Sequence, residues 1–379
     1  MPPLEVTTHN LYFHEQSSIF SVDSHLDHLA TGGGDGFVRL WKVITSPSSL
    51  DSFKYCTALD SSTKIEYISD IHSHSKTVNC VRFNFKGDLA SCSDGGRVIV
   101  TNNDKTFSIR NLDGVDIYDL VWTNDFLVVG TSNGTIEMYS IKNQFKKVLN
   151  RKIHSDIIQS QAYSSIHKLL VTVSKDSSSC LMEVIYEEEI QSKAQREAQE
   201  TRGESQEIKV KETQENIRPQ ENIRPQENIR PQENIRPQEN IRPQENKAKT
   251  TTPSIKLLDR LDKFFSTTRG FYRRLSFSSD GKFLYLVSCK ANTLVVLSYP
   301  FRDEHVFCKI GPLDSEVVKV IGQNYFFVVT KKSVYIFSKS WELKSCVENI
   351  TFKSTTDGTY CCGLLFVSSL DGFISSIKI

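Results

Sequence analysis

The chain has 379 residues, with 46 Lys and Arg against 45 Asp and Glu, a formal charge of +1. That balance excludes a broadly basic nucleic-acid coat and a strongly acidic solvating protein. Hydrophobic residues make up 38%, below the ~45–50% of an ordinary globular domain (a range that also counts Gly), so part of the chain adds nothing to a core. The length suits two or three domains of about 150 residues, or one longer repeat fold. No run of about 18 apolar residues occurs, so no membrane span is expected. The opening Met1-Pro2-Pro3-Leu4-Glu5 lacks the charged and apolar regions of a signal peptide. Nine Cys without framework spacing point to a reduced intracellular compartment.

In chain order, Leu4–Thr7 reads as a strand, Ile19–Val22 as another, and Gly34–Trp41 as a turn followed by a strand. Further units of the last kind start at Asp94, Asn133 and Asp176, and then at Ala291, Lys331 and Asp371. Counted from Asp35, the starts are 59, 39, 43, 115, 40 and 40 residues apart. A spacing near 40 is that of a four-stranded propeller blade. A second strand precedes each turn, at Val78–Phe83, Ile117–Trp122, Ile158–Tyr163, Tyr272–Phe277 and Val317–Val320. These runs do not alternate cleanly, as expected where both sheet faces are covered.

The two long spacings have separate causes. The 59-residue one fits a long loop through Ser46–Ser62. The 115-residue one contains a stretch with no Phe, Tyr or Trp between Tyr186 and Phe264. From Glu215 the hexad Glu-Asn-Ile-Arg-Pro-Gln runs five times to Gln244. Each Pro removes a backbone donor and disfavours α geometry in the Arg before it, which excludes a continuous helix. One Ile per hexad does not offset the ordering entropy, so 187–253 is expected to be a disordered, extended spacer. The expected organisation is therefore blades one to four over 1–186, with the N-terminal strand completing the last blade, the insert over 187–253 between blades four and five, and blades five to seven over 254–379. Pairing Leu4–Thr7 with the strands of Gly363–Ile379 would remove an exposed sheet edge.

The units resemble WD repeats, and Asp35 through Trp41 is the best copy. The fold this implies is an all-β, seven-bladed WD-repeat propeller. More narrowly, Lys76–Asp88, Ile117–Trp122, Phe271–Gly281 and Ser368–Phe373 are similar to the family of WD-repeat middle subunits of chromatin assembly factor 1. The stretch Arg273-Arg274-Leu275-Ser276-Phe277 also resembles Hir-type histone chaperones. The resemblance implies a non-catalytic scaffold subunit in the nucleus, working with a large subunit and a second WD-repeat subunit in replication-coupled deposition of histones H3-H4. The alternatives are a Hir-type, replication-independent chaperone subunit and a generic WD adaptor such as a ubiquitin-ligase substrate receptor. In the family, the segment that docks the Asf-type chaperone lies beyond the propeller. This chain stops at Ile379, in or just after the last strand, which argues against that partner.

His14, Thr31, Asp35 and Trp41 have the order of a WD blade's buried hydrogen-bonded set, and His74 with Asp94 and His154 with Asp176 look like partial copies. Their recurrence at blade period argues for a structural role over an active site. Gly-x-Ser-x-Gly is absent, and Gly32-Gly33-Gly34 lacks the Gly-Lys-Ser/Thr of a phosphate loop. Cys361-Cys362 is adjacent rather than at zinc spacing. No enzyme activity, cofactor or metal is expected, and no direct DNA contact. The basic run Lys142, Lys146, Lys147, Arg151 and Lys152 reads as a solvated loop. Phe20, Asn79, Tyr118, Gln159 and Arg273 share one slot, directly after the first apolar residue of the inner strand. In a WD propeller that slot lies near the narrow top face, so these side chains either anchor a partner or pack the channel.

Deleting Glu215–Gln244 removes no expected core residue. Thermal unfolding of the deleted chain is expected to match that of the full chain, and loss of soluble expression would show that the spacer is not passive.

Overall fold

The computed structural model describes residues 4–11, 14–45, 64–102, 105–111, 114–186, 253–265 and 273–378. The turns read from the sequence recur as predicted. Each start from Asp35 to Asp371 falls between the second and third strands of a four-stranded antiparallel sheet, and there are seven such sheets. Blade one shows the plan, with strands Ile19–His25, His28–Gly33, Phe37–Ile44 and Lys64–Ser73 hydrogen-bonded in that order. The first strands of neighbouring blades touch one another around the ring. They are therefore the inner strands, and the fourth strands face outward. The top of the wheel is the end at which inner strands begin, and the bottom is the end at which they finish.

The ring closes between its two chain ends. Blade seven takes Thr355–Cys361, Leu364–Ser369 and Phe373–Lys378 from the C-terminal side and Glu5–Asn10 as its outer strand. The register runs from Glu5 opposite Lys378 to Asn10 opposite Phe373. Antiparallel pairing across the closure ties the two ends and leaves no gap in the wheel.

Blade four places the insert differently from the sequence. Its strands are Ile158–Ser164, Leu169–Ser174, Ser179–Ile185 and Ser254–Arg260. The chain thus breaks after the third strand of blade four, one strand before the expected boundary with blade five. The outer strand is mostly exposed and contributes least to burial. Widening the connection that leads to it costs only slowly growing loop entropy. The stretch 187–252, with the expected disorder of its hexads, and residues 46–63, with the expected loop through Ser46–Ser62, lie outside the described residues.

Apolar side chains fill the spaces between blades. Leu284, Leu286, Val295 and Val296 of blade five pack with Val171 and Leu181 of blade four and Val320 and Val328 of blade six. Two joints are tight enough to need glycine. A Cβ on Gly32 would come 2.5 Å from Val78 Cγ1, and one on Gly130 would come 2.6 Å from Ile158 Cγ2. At each, the second strand of one blade backs directly onto the start of the next inner strand.

The closing strand carries a fully buried His9, whose Nε2 lies 2.9 Å from Ser376 Oγ. Burial lowers its pKa from 6.5 to about 4. The folded state therefore keeps His9 neutral at pH values where the unfolded chain has already taken the proton. Its contribution is complete above pH 6.5 and is lost as pH falls toward 4, a change of up to about 3 kcal/mol. The His9→Gln chain is expected to lose correspondingly less stability than the parent between these pH values. Parallel pH dependences of their unfolding midpoints would contradict this.

Candidate functional site

Blade one holds a connected set of buried polar groups. Trp41 Nε1–H donates to Thr31 Oγ1 at 2.8 Å, Thr31 Oγ1 lies 2.8 Å from His14 Nε2, and His14 Nδ1 lies 3.0 Å from Asp35 Oδ2. Arg39, which the sequence reading passed over, also binds the Asp35 carboxylate and reaches Asp70 at 3.1 Å. Burial lowers the His14 pKa despite Asp35 beside it. At Asp35, burial favours the neutral acid, but the hydrogen bonds and charges of His14 and Arg39 outweigh it and hold the carboxyl below its ordinary range.

The partial copies differ. His154 Nε2 lies 2.8 Å from Thr172 Oγ1, and its Nδ1 lies 2.6 Å from Ser178 Oγ and 3.4 Å from Asp176. His74 Nε2 lies 2.7 Å from Ser91 Oγ, while Asp94 accepts from Asn79 Nδ2 at 2.6 Å. Blade three places Tyr139 where blade one has Trp41, and its hydroxyl donates to Glu137 at 2.5 Å. Arg110 from blade two donates to the same carboxylate at 2.9 Å.

The slot residues share a backbone feature. In blades one to four, strand pairing slips by one residue between Ile19 and Ser21, Val78 and Cys80, Ile117 and Asp119, and Ile158 and Ser160. Phe20, Asn79, Tyr118 and Gln159 are therefore the extra residues of β-bulges, which re-aim side chains. Blades six and seven bulge at Val318 and Thr356. Asn79, Gln159 and Arg273 are buried, whereas Phe20 and Tyr118 are half-buried. Arg273 has Nε and Nη1 without a hydrogen-bond partner among the described residues, and its guanidinium sits 6.0 Å from the Phe265 ring centroid. Burial lowers its pKa, with Glu316 opposing.

Blade five departs from the expected strand Tyr272–Phe277. Among the described residues its inner strand is Ser276–Phe277, and Tyr272 lies outside them. Arg274 pairs in parallel with Lys319 of blade six, its N–H donating to Val318 O at 2.8 Å. Nη2 of Arg274 donates to Asn79 O at 2.8 Å and Phe20 O at 3.3 Å, and Nη1 donates to Asp119 Oδ1 at 2.9 Å and Tyr118 O at 3.3 Å. Asp357 of blade seven lies 3.6 Å from its Nε, and Leu275 N–H donates to Ser160 Oγ of blade four at 3.0 Å. Two adjacent residues thus engage each of the other blades.

Around Arg274, Arg82 Nη1 lies 2.8 Å from Asp357 Oδ2 and Lys319 Nζ lies 2.9 Å from Asp357 Oδ1. Burial would raise the Asp357 pKa, but Arg82, Lys319 and Arg274 overcome it and hold this carboxyl far below the carboxylate range. The sequence reading missed this cluster. Its signal was present one position past the slot, where Asp119, Arg274, Lys319 and Asp357 recur at blade period. Elsewhere, Lys146–Lys152 forms the outer strand of blade three, with Lys147 3.0 Å from Glu137, and Lys142 lies 3.0 Å from Asp125. Cys80, Cys92, Cys180 and Cys289 are buried. Among the described residues no group of three or more His, Cys, Asp or Glu is arranged to hold a metal ion.

A closed ring of seven four-stranded sheets, with these polar sets inside its blades, is a seven-bladed β-propeller. The family model "WD domain, G-beta repeat" matches residues 5–42 and 65–102. Each match starts on an outer strand and ends on the third strand of the next blade. The crystal structure of the WD40 β-propeller domain of Doa1 superposes with a TM-score of 0.62 at 12% identity, covering 100% of this chain and 97% of that one. In sequence the chain is similar to a chromatin assembly factor 1 subunit of Schizosaccharomyces pombe, 31% identical over 173 residues, which is 38% of this chain and 31% of that protein. It is also similar to the chromatin assembly factor 1 subunit FAS2 homolog of Oryza sativa, 30% identical over 183 residues, which is 45% of this chain and 34% of that protein. The matched stretches span about a third of these relatives' own length.

The two adjacent arginines are expected to respond oppositely to removal. Arg274→Met strips the shared partner from buried carboxylates and backbone carbonyls and is expected to cost about 3–5 kcal/mol. Arg273→Met removes a buried, poorly partnered charge and is expected to cost less than ~1 kcal/mol or to stabilise. Denaturant unfolding of both variants distinguishes them, and equal losses would contradict the assignment.

Proposed function

We propose that the chain is a non-catalytic scaffold subunit of a chromatin assembly factor 1-type histone chaperone in the nucleus, supporting replication-coupled deposition of histones H3-H4. The observation that carries this reading is the sequence similarity to subunits of that factor in a yeast and a plant. The architecture supports it physically. A closed ring locked by buried ion pairs suits a rigid platform better than a mobile catalytic cleft. In this reading the platform holds the large subunit beside a second WD-repeat subunit, and histones reach the assembly through the complex. Of the slot residues, Phe20 and Tyr118 are half-buried and therefore the ones a partner could reach at the top rim.

With a formal charge of +1 the chain has no acidic surplus to neutralise histones, and that task falls to the large subunit. Titration of the isolated chain with H3-H4 at physiological salt is expected to show affinity weaker than about 1 μM. Sub-micromolar binding without the partner would overturn the scaffold role. Affinity purification with mass spectrometry is expected to recover the large and second WD-repeat subunits. Recovery of Hir-type partners or of a ubiquitin ligase instead would overturn the proposal.

A further inference from the structure

At the bottom end of the channel lie two cavities of about 340 and 330 Å3. Both are lined by Phe277, Ser278, Ser279 and Lys319, so the tip of blade five's inner strand stands between them. Their walls together draw on the inner strands of all seven blades, from Ser24 in blade one to Tyr360 in blade seven. The opening follows from the shortened strand of blade five. Arg274 is drawn toward the centre and blade six, and space is left between blade five and the end of the inner strand of blade four.

The charge at this mouth is sorted by depth. Three cations, Arg82, Arg274 and Lys319, meet two carboxylates, Asp119 and Asp357. The side chains of Arg82 and Lys319 are 16% and 15% exposed, while those of Asp119 and Asp357 are 3% and 0% exposed. Water at the mouth therefore meets the cationic side of the cluster, and a low-dielectric cleft focuses that field. The third carboxylate nearby, Asp23, accepts from the Phe83 N–H at 2.8 Å, and burial raises its pKa against the charges of Arg82 and Lys319.

Two further features suit a peptide. Gln161, in the wall of the larger cavity, donates its amide N–H groups to Asp119 O and Val128 O, while its Oε1 has no hydrogen-bond partner among the described residues. It is a buried acceptor left unpartnered in that wall. The surrounding turns carry exposed apolar side chains: Ile166 and Tyr299 beside blades four and five, and Leu26 and Phe85 on blades one and two. Tyr299 stacks on His167 at 4.3 Å, which holds it in place.

From this arrangement we infer that the bottom mouth of the channel is a docking site for an acidic segment of a partner protein, with a carboxylate side chain entering the cavity and apolar neighbours resting on the rim. The recessed cations admit a narrow side chain and keep a duplex phosphate backbone at a distance. A cationic histone tail is repelled by the same field. The inference stands on the chemistry of the cavity, whichever complex the chain joins.

The test uses the full chain and a fluorescein-labelled peptide of alternating Glu and Leu, followed by anisotropy. Binding is expected, and it should weaken as salt rises from about 50 to about 300 mM. Ser165 and Ser279 are exposed and line the cavities. Ser165→Glu and Ser279→Glu should fold like the parent and bind about tenfold more weakly. Ile166→Ser should weaken the peptide without changing competition by inorganic phosphate. Unchanged binding in both Glu variants, equal binding of a Lys-Leu peptide, or an Ile166→Ser chain indistinguishable from the parent would each overturn the inference. The last result would leave only a small-anion site.

Discussion

The fold depends on one buried guanidinium being satisfied. Arg274 stands at the centre of the ring, where no single blade can supply enough acceptors. It collects them from the Phe20, Asn79 and Tyr118 carbonyls and the Asp119 carboxylate, and adds an ion pair to Asp357 at 3.6 Å, so that four different blades contribute. An unpaired charge in that position would be strongly destabilising, so the arginine is tolerable only when the ring is closed. The interaction thus couples local pairing to global closure. It also detaches the start of blade five's inner strand from its own sheet and bridges it to blade six. The cavities at the bottom of the channel are the other face of the same displacement.

Away from the axis, each blade meets a recurring requirement with different residues. A buried polar group needs a partner, but the partner's identity is free. Blade one uses Trp41, Thr31, His14 and Asp35, closed by Arg39. Blade three uses Tyr139 and Glu137, with Arg110 lent by blade two and Lys147 from its own outer strand. Blade six has Asp314 accepting from Thr330 at 2.9 Å and Ser333 at 2.6 Å. Geometry persists through these exchanges because the turn and the strand spacing set where the group sits, while hydrogen bonding asks only that donors and acceptors match.

The two ends of the channel differ for a backbone reason. At the top, a bulge in six inner strands turns one residue per blade out of register, and most of the side chains singled out there are packed away. At the bottom, the strands run into turns of unequal length, and the space between blades four and five stays open to water. A nearly neutral molecule can therefore carry a locally cationic well, because net charge says nothing about which member of an ion pair faces solvent.

Seven turn starts near a 40-residue period, the antiparallel units, and the strand that completes blade seven from the N terminus were all legible in the sequence. They are local patterns or simple complements of them. The set around Asp35 and Trp41 was legible because its residues lie close together on one blade. Composition alone could not say on which side of an outer strand the insert falls, since Ser254–Arg260 is too exposed to announce its sheet. The Arg274 cluster was out of reach for a different reason. Its members are spread from Phe20 to Asp357, and only the closed ring brings them within hydrogen-bonding distance. Periodicity fixes what repeats along the chain, whereas pairing between charges far apart in sequence is decided by the tertiary structure, because Coulomb and hydrogen-bond energies depend on distance in space.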